Sequence, residues 1–217
     1  MQARMHFMEE LARLDHDILA MGSKVEENLR KALEALKTHD AELAREARAG
    51  DEIVNALQLK VEDQAAILIA TQQPVARDLR ELVSILKVTD NLERAGDHAV
   101  HLAKAAIKLA EERGFRQFDR IEAMVETCCA MIRGAVDAWI AHDPDEARRV
   151  AALDETIDRE HKALVHEVLD FIKMHPDLSD RATRILSNSG YLERFGDHMT
   201  NICEATVWMV EGAHVEL

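Results

Sequence analysis

Apolar residues recur at helical spacing along almost the whole chain, most plainly as seams seven residues apart. Ala47, Val54, Val61 and Leu68 form one seam. Leu79, Leu86, Val100 and Ile107 form a second, with Glu93 occupying a slot in it; Leu186, Thr200 and Val207 form a third, with Glu193 in the matching slot. The periodicity is punctuated at Thr38-His39-Asp40, Gln73-Pro74, Arg113-Gly114-Phe115, Ala141-His142-Asp143-Pro144 and His175-Pro176-Asp177. Proline lacks an N–H and restricts its predecessor, and Asp40 is placed to cap the helix that follows it. The pattern predicts six helices, at 5–37, 41–72, 75–112, 117–141, 144–174 and 178–213. Long helices joined by such short turns pack antiparallel to their neighbours.

The second half of the chain repeats the first. At an offset of 103, Met21, Ala32, Ala35, His39, Asp40, Ala44 and Asp51 map onto Met124, Ala135, Ala138, His142, Asp143, Ala147 and Asp154. Farther on the offset is 100: Ile85-Leu86 maps onto Ile185-Leu186, and Leu92-Glu93-Arg94-Ala95-Gly96-Asp97-His98 onto Leu192-Glu193-Arg194-Phe195-Gly196-Asp197-His198. The expected fold is all-α, two tandem, pseudo-symmetric three-helix bundles over residues 1–114 and 115–217.

Composition narrows the function. Lys and Arg number 27 against 41 Asp and Glu, a net charge of −14. That balance argues against nucleic acid and anionic lipid as partners, since both are held by clustered Lys and Arg. Hydrophobic residues make up 47%, enough for a packed core, yet no apolar run is long enough to span a bilayer. Acids stand where a signal peptide needs apolar residues, so a cytoplasmic protein is expected. Cys128, Cys129 and Cys203 form neither a disulfide framework nor a zinc pair, and read as small buried hydrophobes.

The chemistry lies in the acids. Asp97 follows Glu93 by four residues on one helix face, and Asp197 follows Glu193 in the same way. Such pairs repel by about 0.2–0.5 kcal/mol even in water, so a cost incurred twice calls for a partner. The preceding helix of each unit carries Asp51 and Asn55, or Asp154 and Asp158. Asp51 and Asp97 each lie 23 residues from Pro74, and Asn55 and Glu93 each lie 19. In an antiparallel hairpin they stand level. Asp154 with Asp197, and Asp158 with Glu193, are likewise centred between His175 and Pro176. Facing oxygens of this kind make a hard-ligand cage for manganese, iron, magnesium or zinc. Gly96 and Gly196 would allow close approach of backbone or ions. His98 and His198 turn away from the acid face and read as supporting or surface residues, as does His101. The nine Met residues read as gap-fillers, and Trp139 and Trp208 as core or bundle-contact residues.

Leu92-Glu93-Arg94-Ala95-Gly96-Asp97-His98 and Leu192-Glu193-Arg194-Phe195-Gly196-Asp197-His198, each on the third helix of its unit, closely resemble the doubled acidic signature of the PhoU phosphate-transport regulators. His6-Phe7, Glu10-Leu11, Met21-Gly22 and the run from Gln73-Pro74 to Arg80 are similar to the same family. The resemblance implies a metal site or cluster on carboxylates in each bundle, with iron or zinc as the metal and other divalent ions as alternatives. The family's ligand pairs then fall on Glu93, Asp97, Glu193 and Asp197. It also implies a cytoplasmic negative regulator of phosphate uptake and of the phosphate-starvation response. The partners it implies are the ATP-binding subunit of the phosphate ABC transporter and a sensor histidine kinase. Asn91 and Tyr191 stand where related sequences often carry Asp, and Phe195 where a small aliphatic residue is usual. A homodimer without enzymatic activity is expected. The competing reading is a di-iron carboxylate, ferritin-like oxidase or metal-storage protein. It needs doubled Glu-x-x-His pairs, where this chain offers Asp158-x-x-His161 and Glu211-x-x-His214.

Overall fold

The computed structural model describes residues 2–110 and 119–217. All regular structure among these residues is helical: α1 (Gln2–Thr38), α2 (Ala41–Ala49), α3 (Asp51–Gln72), α4 (Ala76–Ala110), α5 (Asp119–Ala141), α6 (Pro144–Ala151), α7 (Asp154–Met174) and α8 (Ser179–Glu211), with one 3₁₀ turn at Pro176–Leu178. The boundary expected at 114/115, the Arg113-Gly114-Phe115 break and the helix ends at 112 and 117 lie outside the described residues.

Six rods make two bundles. In the first, α1 packs on α4 and both pack on the α2–α3 rod; α5, α6–α7 and α8 repeat that arrangement. The bundles meet along α4 against α8 and α1 against α5. The repeat is kept in detail. Asp40 and Asp143 each cap a helix through one carboxylate oxygen, accepting from the N–H groups two and three residues on. The preceding His39 and His142 both adopt left-handed backbone, at φ 58° and 53°.

The second rod of each unit is split. α2 stops at Ala49 and α3 restarts at Asp51; α6 stops at Ala151 and α7 restarts at Asp154. At the first break Gly50 presses on α1, where any Cβ would overlap the Asn28 carboxamide. The split places Asp51 and Asp154 in the first turn of a helix, where the macrodipole favours a carboxylate.

The α3 seam of Val54, Val61 and Leu68 is buried, together with Ala47 on α2. The α4 seam is not central: Leu79 is exposed, and Leu86, Glu93 and Ile107 are only partly covered. α4 is packed by α1, α2, α3 and α8 at once, so its buried arc is wide and the heptad stripe runs along one margin. All three cysteines are free and buried. Trp139 is fully buried, whereas Trp208 is half-buried, with Lys87 over its face and His214 stacked on it. Met21, Met124, Met131, Met199 and Met209 fill the core, but Met5, Met8 and Met174 are exposed, correcting the view of methionine here as filler throughout.

Candidate metal centres

The first cluster joins the start of α3 to the middle of α4. Burial raises the Asp51 carboxyl above the usual carboxylate range, and the facing Asp97 raises it further. Glu93 is raised by burial, then by Asp97, Asp51 and Asp90. Asn55 reaches the group through its Nδ2, which donates to Asp51 Oδ2 at 3.4 Å. Arg94 pairs with Asp90 at 3.0 Å rather than with Glu93.

The second cluster is more strongly charged. Asp154 is pushed up to about 6 by burial and then by Asp197, Asp158 and Glu193. Glu193 is raised by burial and by Asp197, with a smaller contribution from Asp158. Lys162 donates to Asp158 at 2.7 Å on the outer surface.

The acids therefore sit at the rim of the core rather than inside it: Glu93 and Glu193 are half-buried, and Asp97 and Asp197 are exposed. Like charges at this spacing repel, which accounts for the outward turn of the two aspartates. Among the described residues, no three His, Cys, Asp or Glu side chains converge on one point. The donor set nonetheless fits a cation. Asp51 Oδ1 and Asp154 Oδ1 are buried with no hydrogen-bond donor, and a buried carboxylate oxygen normally has one. Each lies against the glycine of the facing helix. A Cβ at Gly96 would come within 3.1 Å of Asp51 Oδ1, and one at Gly196 would overlap Asp154 Oδ1. The glycines clear the space in which these oxygens lie.

Gly196→Ala is accordingly expected to swing Asp154 aside while leaving the fold intact, since alanine regains about 1 kcal/mol of helix propensity. Metal affinity at the second cluster should fall by about tenfold, with little change at the first cluster in Gly96→Ala. Calorimetric titration with Zn²⁺ of the two variants checks this, and equal affinities would contradict it.

The histidines beside the acids form the joint between the bundles, a role that reading them as supporting or surface residues did not anticipate. One residue along a helix turns about 100°, which carries His98 and His198 from the acid face onto the α4–α8 seam. Their rings stack at 5.4 Å, and His101 stacks on Tyr191 at 4.1 Å. Asn91 Oδ1 accepts from His198 Nδ1 at 2.9 Å and from Asn201 Nδ2 at 3.2 Å. Positions 91 and 191, named above for lacking Asp, thus serve this joint. Burial, reinforced by His198 and His101, lowers His98 to about 4, so the stack is uncharged at neutral pH.

The second half of the ferritin-like pattern is engaged elsewhere: Glu211 pairs with Arg148 at 2.8 Å, and His214 stacks on Trp208. A cavity of about 440 Å³ between α4 and α8 is lined by Lys87, Asn91, Arg94, Asn201 and Trp208, and by none of the eight expected ligands. Spacing alone did not single out Cys128, whose thiol lies near Asp154 and donates to Leu192 O at 3.6 Å. Burial raises this thiol well above its ordinary range.

Comparison with known proteins settles the lineage. The PhoU domain model matches residues 18–106 and 121–206, one match in each bundle. The chain belongs to the PhoU family. A PhoU homolog of Clostridium acetobutylicum, described as a phosphate-specific transport system accessory protein, is 34% identical over 212 residues, covering 97% of both chains. The crystal structure of PhoU from Pseudomonas aeruginosa superposes with a TM-score of 0.91 at 34% identity, covering 95% of this chain and 100% of that one. The PhoU regulatory protein of Streptococcus pneumoniae gives 0.90 at 33% identity, over 97% and 100%. PhoU membership carries an accessory, regulatory role in phosphate transport, and no helix among the described residues is long and apolar enough to cross a membrane.

Proposed function

We propose that this PhoU protein is a cytoplasmic, metal-binding negative regulator of phosphate uptake and of the phosphate-starvation response. It works by docking rather than catalysis, as an adaptor between the ATP-binding subunit of the phosphate ABC transporter and a sensor histidine kinase. The observation that carries the metal-binding part is the doubled carboxylate cluster, with one buried, donorless oxygen in each copy. Asp51, Glu93 and Asp97 would hold a cation in the first bundle with Asn55 beside them, and Asp154, Asp158, Glu193 and Asp197 in the second. A bound cation supplies positive charge that offsets the repulsion among these acids and ties the first turn of α3 or α7 to the neighbouring long helix. An ion at a hundredfold excess over its dissociation constant adds about 2.7 kcal/mol of stability, so occupancy sets how rigid the docking surface is. A net charge of −14 suits basic faces on the partners, and exposed Ile53, Leu59 and Ile67 on α3 offer apolar contacts. A homodimer is part of the same reading.

The test is metal content. Protein purified from cells and the variant Glu93→Ala/Asp97→Ala/Glu193→Ala/Asp197→Ala are compared by elemental analysis, with circular dichroism as the fold check. Loss of iron or zinc from the variant with helicity retained is expected, and equal metal in both would overturn the site. In a pull-down from phosphate-replete cells, the wild type should recover the transporter ATPase and the kinase, and recovery of neither would overturn the adaptor role.

A further inference from the structure

The seam between the bundles is not symmetric. On α4, Arg80, Lys87 and Arg94 follow at intervals of seven, so they share one face at steps of about 10 Å. The same positions on α8 are Asp180, Ser187 and Arg194. Opposite them, α8 brings Asn201 and Trp208, where the matching residues of α4 are His101 and Lys108. Duplication therefore does not account for the group that Lys87, Arg94, Asn201 and Trp208 form around the cavity between α4 and α8.

The segment after α8 walls this cavity. Gly212 ends the helix with a left-handed φ of 75°, and its N–H donates to Trp208 O at 2.9 Å. Arg80 Nε donates to Met209 O at 3.4 Å, in the last turn, where the helix dipole favours a cation. The chain then returns along α8: His214 stacks on Trp208 at 5.3 Å, and Leu217 N–H donates to Glu204 Oε1 at 3.1 Å. His214 and Val215 thus line a space of about 440 Å³, within the ordinary range for small-ligand sites.

The capacity left in this space is mainly that of donors. Each of its acids is already tied to one: Asp90 accepts from Arg94 Nε at 3.0 Å, and Glu204 accepts from Leu217. Arg94 keeps four further N–H groups. The Lys87 ammonium sits over the Trp208 ring, 4.8 Å from its centre, and is paired with no carboxylate among the described residues. Asn91 Oδ1 is filled by His198 and Asn201, which leaves Asn201 a second N–H and its carbonyl oxygen.

We infer that this cavity binds a small organic phosphate of the mononucleotide class. Lys87 and Arg94 hold the phosphate oxygens by charge-assisted hydrogen bonds, and the planar ring lies on the Trp208 indole. An exposed cation–π contact is weak, so the phosphate draws Lys87 off the indole and clears a face for stacking. The Asn201 carboxamide, donor and acceptor at once, meets the polar edge of the ring. In a chain of net charge −14 an anion is repelled by most of the surface, and these cations make the exception. The inference is independent of metal binding, since none of the clustered acids lines the cavity.

Tryptophan emission tests it, because Trp208 borders the cavity and Trp139, the other indole, is fully buried. Protein as purified is titrated with AMP, ATP, adenosine and inorganic phosphate, without added divalent ions and with calorimetry in parallel. AMP and ATP should quench the emission saturably, and Trp208→Phe should abolish the quenching. Lys87→Ala and Arg94→Ala, both at exposed positions, should each weaken binding by about tenfold. Lys87→Glu/Arg94→Glu should abolish binding with helicity retained by circular dichroism. Adenosine and inorganic phosphate should each bind more weakly than AMP by about tenfold or more. No saturable binding of AMP or ATP, or unaltered affinity in Lys87→Glu/Arg94→Glu, overturns the inference. Inorganic phosphate or adenosine binding as tightly as AMP overturns the nucleotide assignment.

Discussion

Trp139→Ala is expected to cost about 3–5 kcal/mol, a large share of the 5–15 kcal/mol that holds a typical domain folded. The indole is fully buried where α5 crosses α1, and its Nε1–H donates to Asp15 Oδ1 at 3.2 Å across that crossing. The crossing is tight: a Cβ on Gly22 of α1 would approach Val136 Cγ2 to 2.8 Å, so neighbouring side chains have little freedom to fill the void. Trp139→Phe separates the two contributions. It keeps most of the volume but leaves the half-buried Asp15 carboxyl, already raised by burial, without its donor; such an orphaned group costs about 1–3 kcal/mol. Urea unfolding followed by circular dichroism reads both, and a loss below about 1 kcal/mol for the alanine variant would show that the α1–α5 crossing contributes little.

Asp154→Asn should move stability the other way. The folded-state value of about 6 lies above the ordinary aspartate value near 4, so the folded protein binds the proton more tightly than the unfolded chain. Metal-free protein is therefore stabilised as pH falls through about 6, and the gain is complete below about 4. At pH 7 the ionised group is a burden. A shift of about two units corresponds to roughly 3 kcal/mol, cut to about 1–2 by solvent at a half-exposed site. The helix macrodipole opposes removal of the charge by about 0.3–1 kcal/mol. The net expectation is a gain of about 1 kcal/mol at pH 7 in chelator-treated protein, with a flatter profile between pH 4 and 7. Thermal melts across that range decide it. A destabilised Asp154→Asn under these conditions would mean that the carboxylate is satisfied without an ion.

Much of this architecture could be read from residue order because the features involved are local. Proline and N-cap aspartates set the turns, and the turns set the register that brings Asp51 to Asp97 and Asp158 to Glu193. What escaped was set by packing. The breaks before Asp51 and Asp154 carry no proline, and Ala152-Leu153 is as helix-compatible as its surroundings. Only contact between Gly50 and Asn28 shows why one of them forms. The stripe through Glu93 read as a buried seam because a heptad repeat says which residues share a face, not which face is central to a helix packed by four neighbours. The 2.8 Å contact between His161 and Ser189 likewise depends on how two helices pack and could not be read from spacing.

The joint of stacked rings has a consequence for the acids beside it. His98 follows Asp97 and His198 follows Asp197, so α4 and α8 each carry charged groups on one flank and an interlocked ring on another. Neither helix can roll to draw its acids inward without dragging an imidazole across its twin in the opposite bundle. A displacement of either acid-bearing segment would therefore bear on the ring stacked against it from the other bundle, and any coupling between the two would be reciprocal.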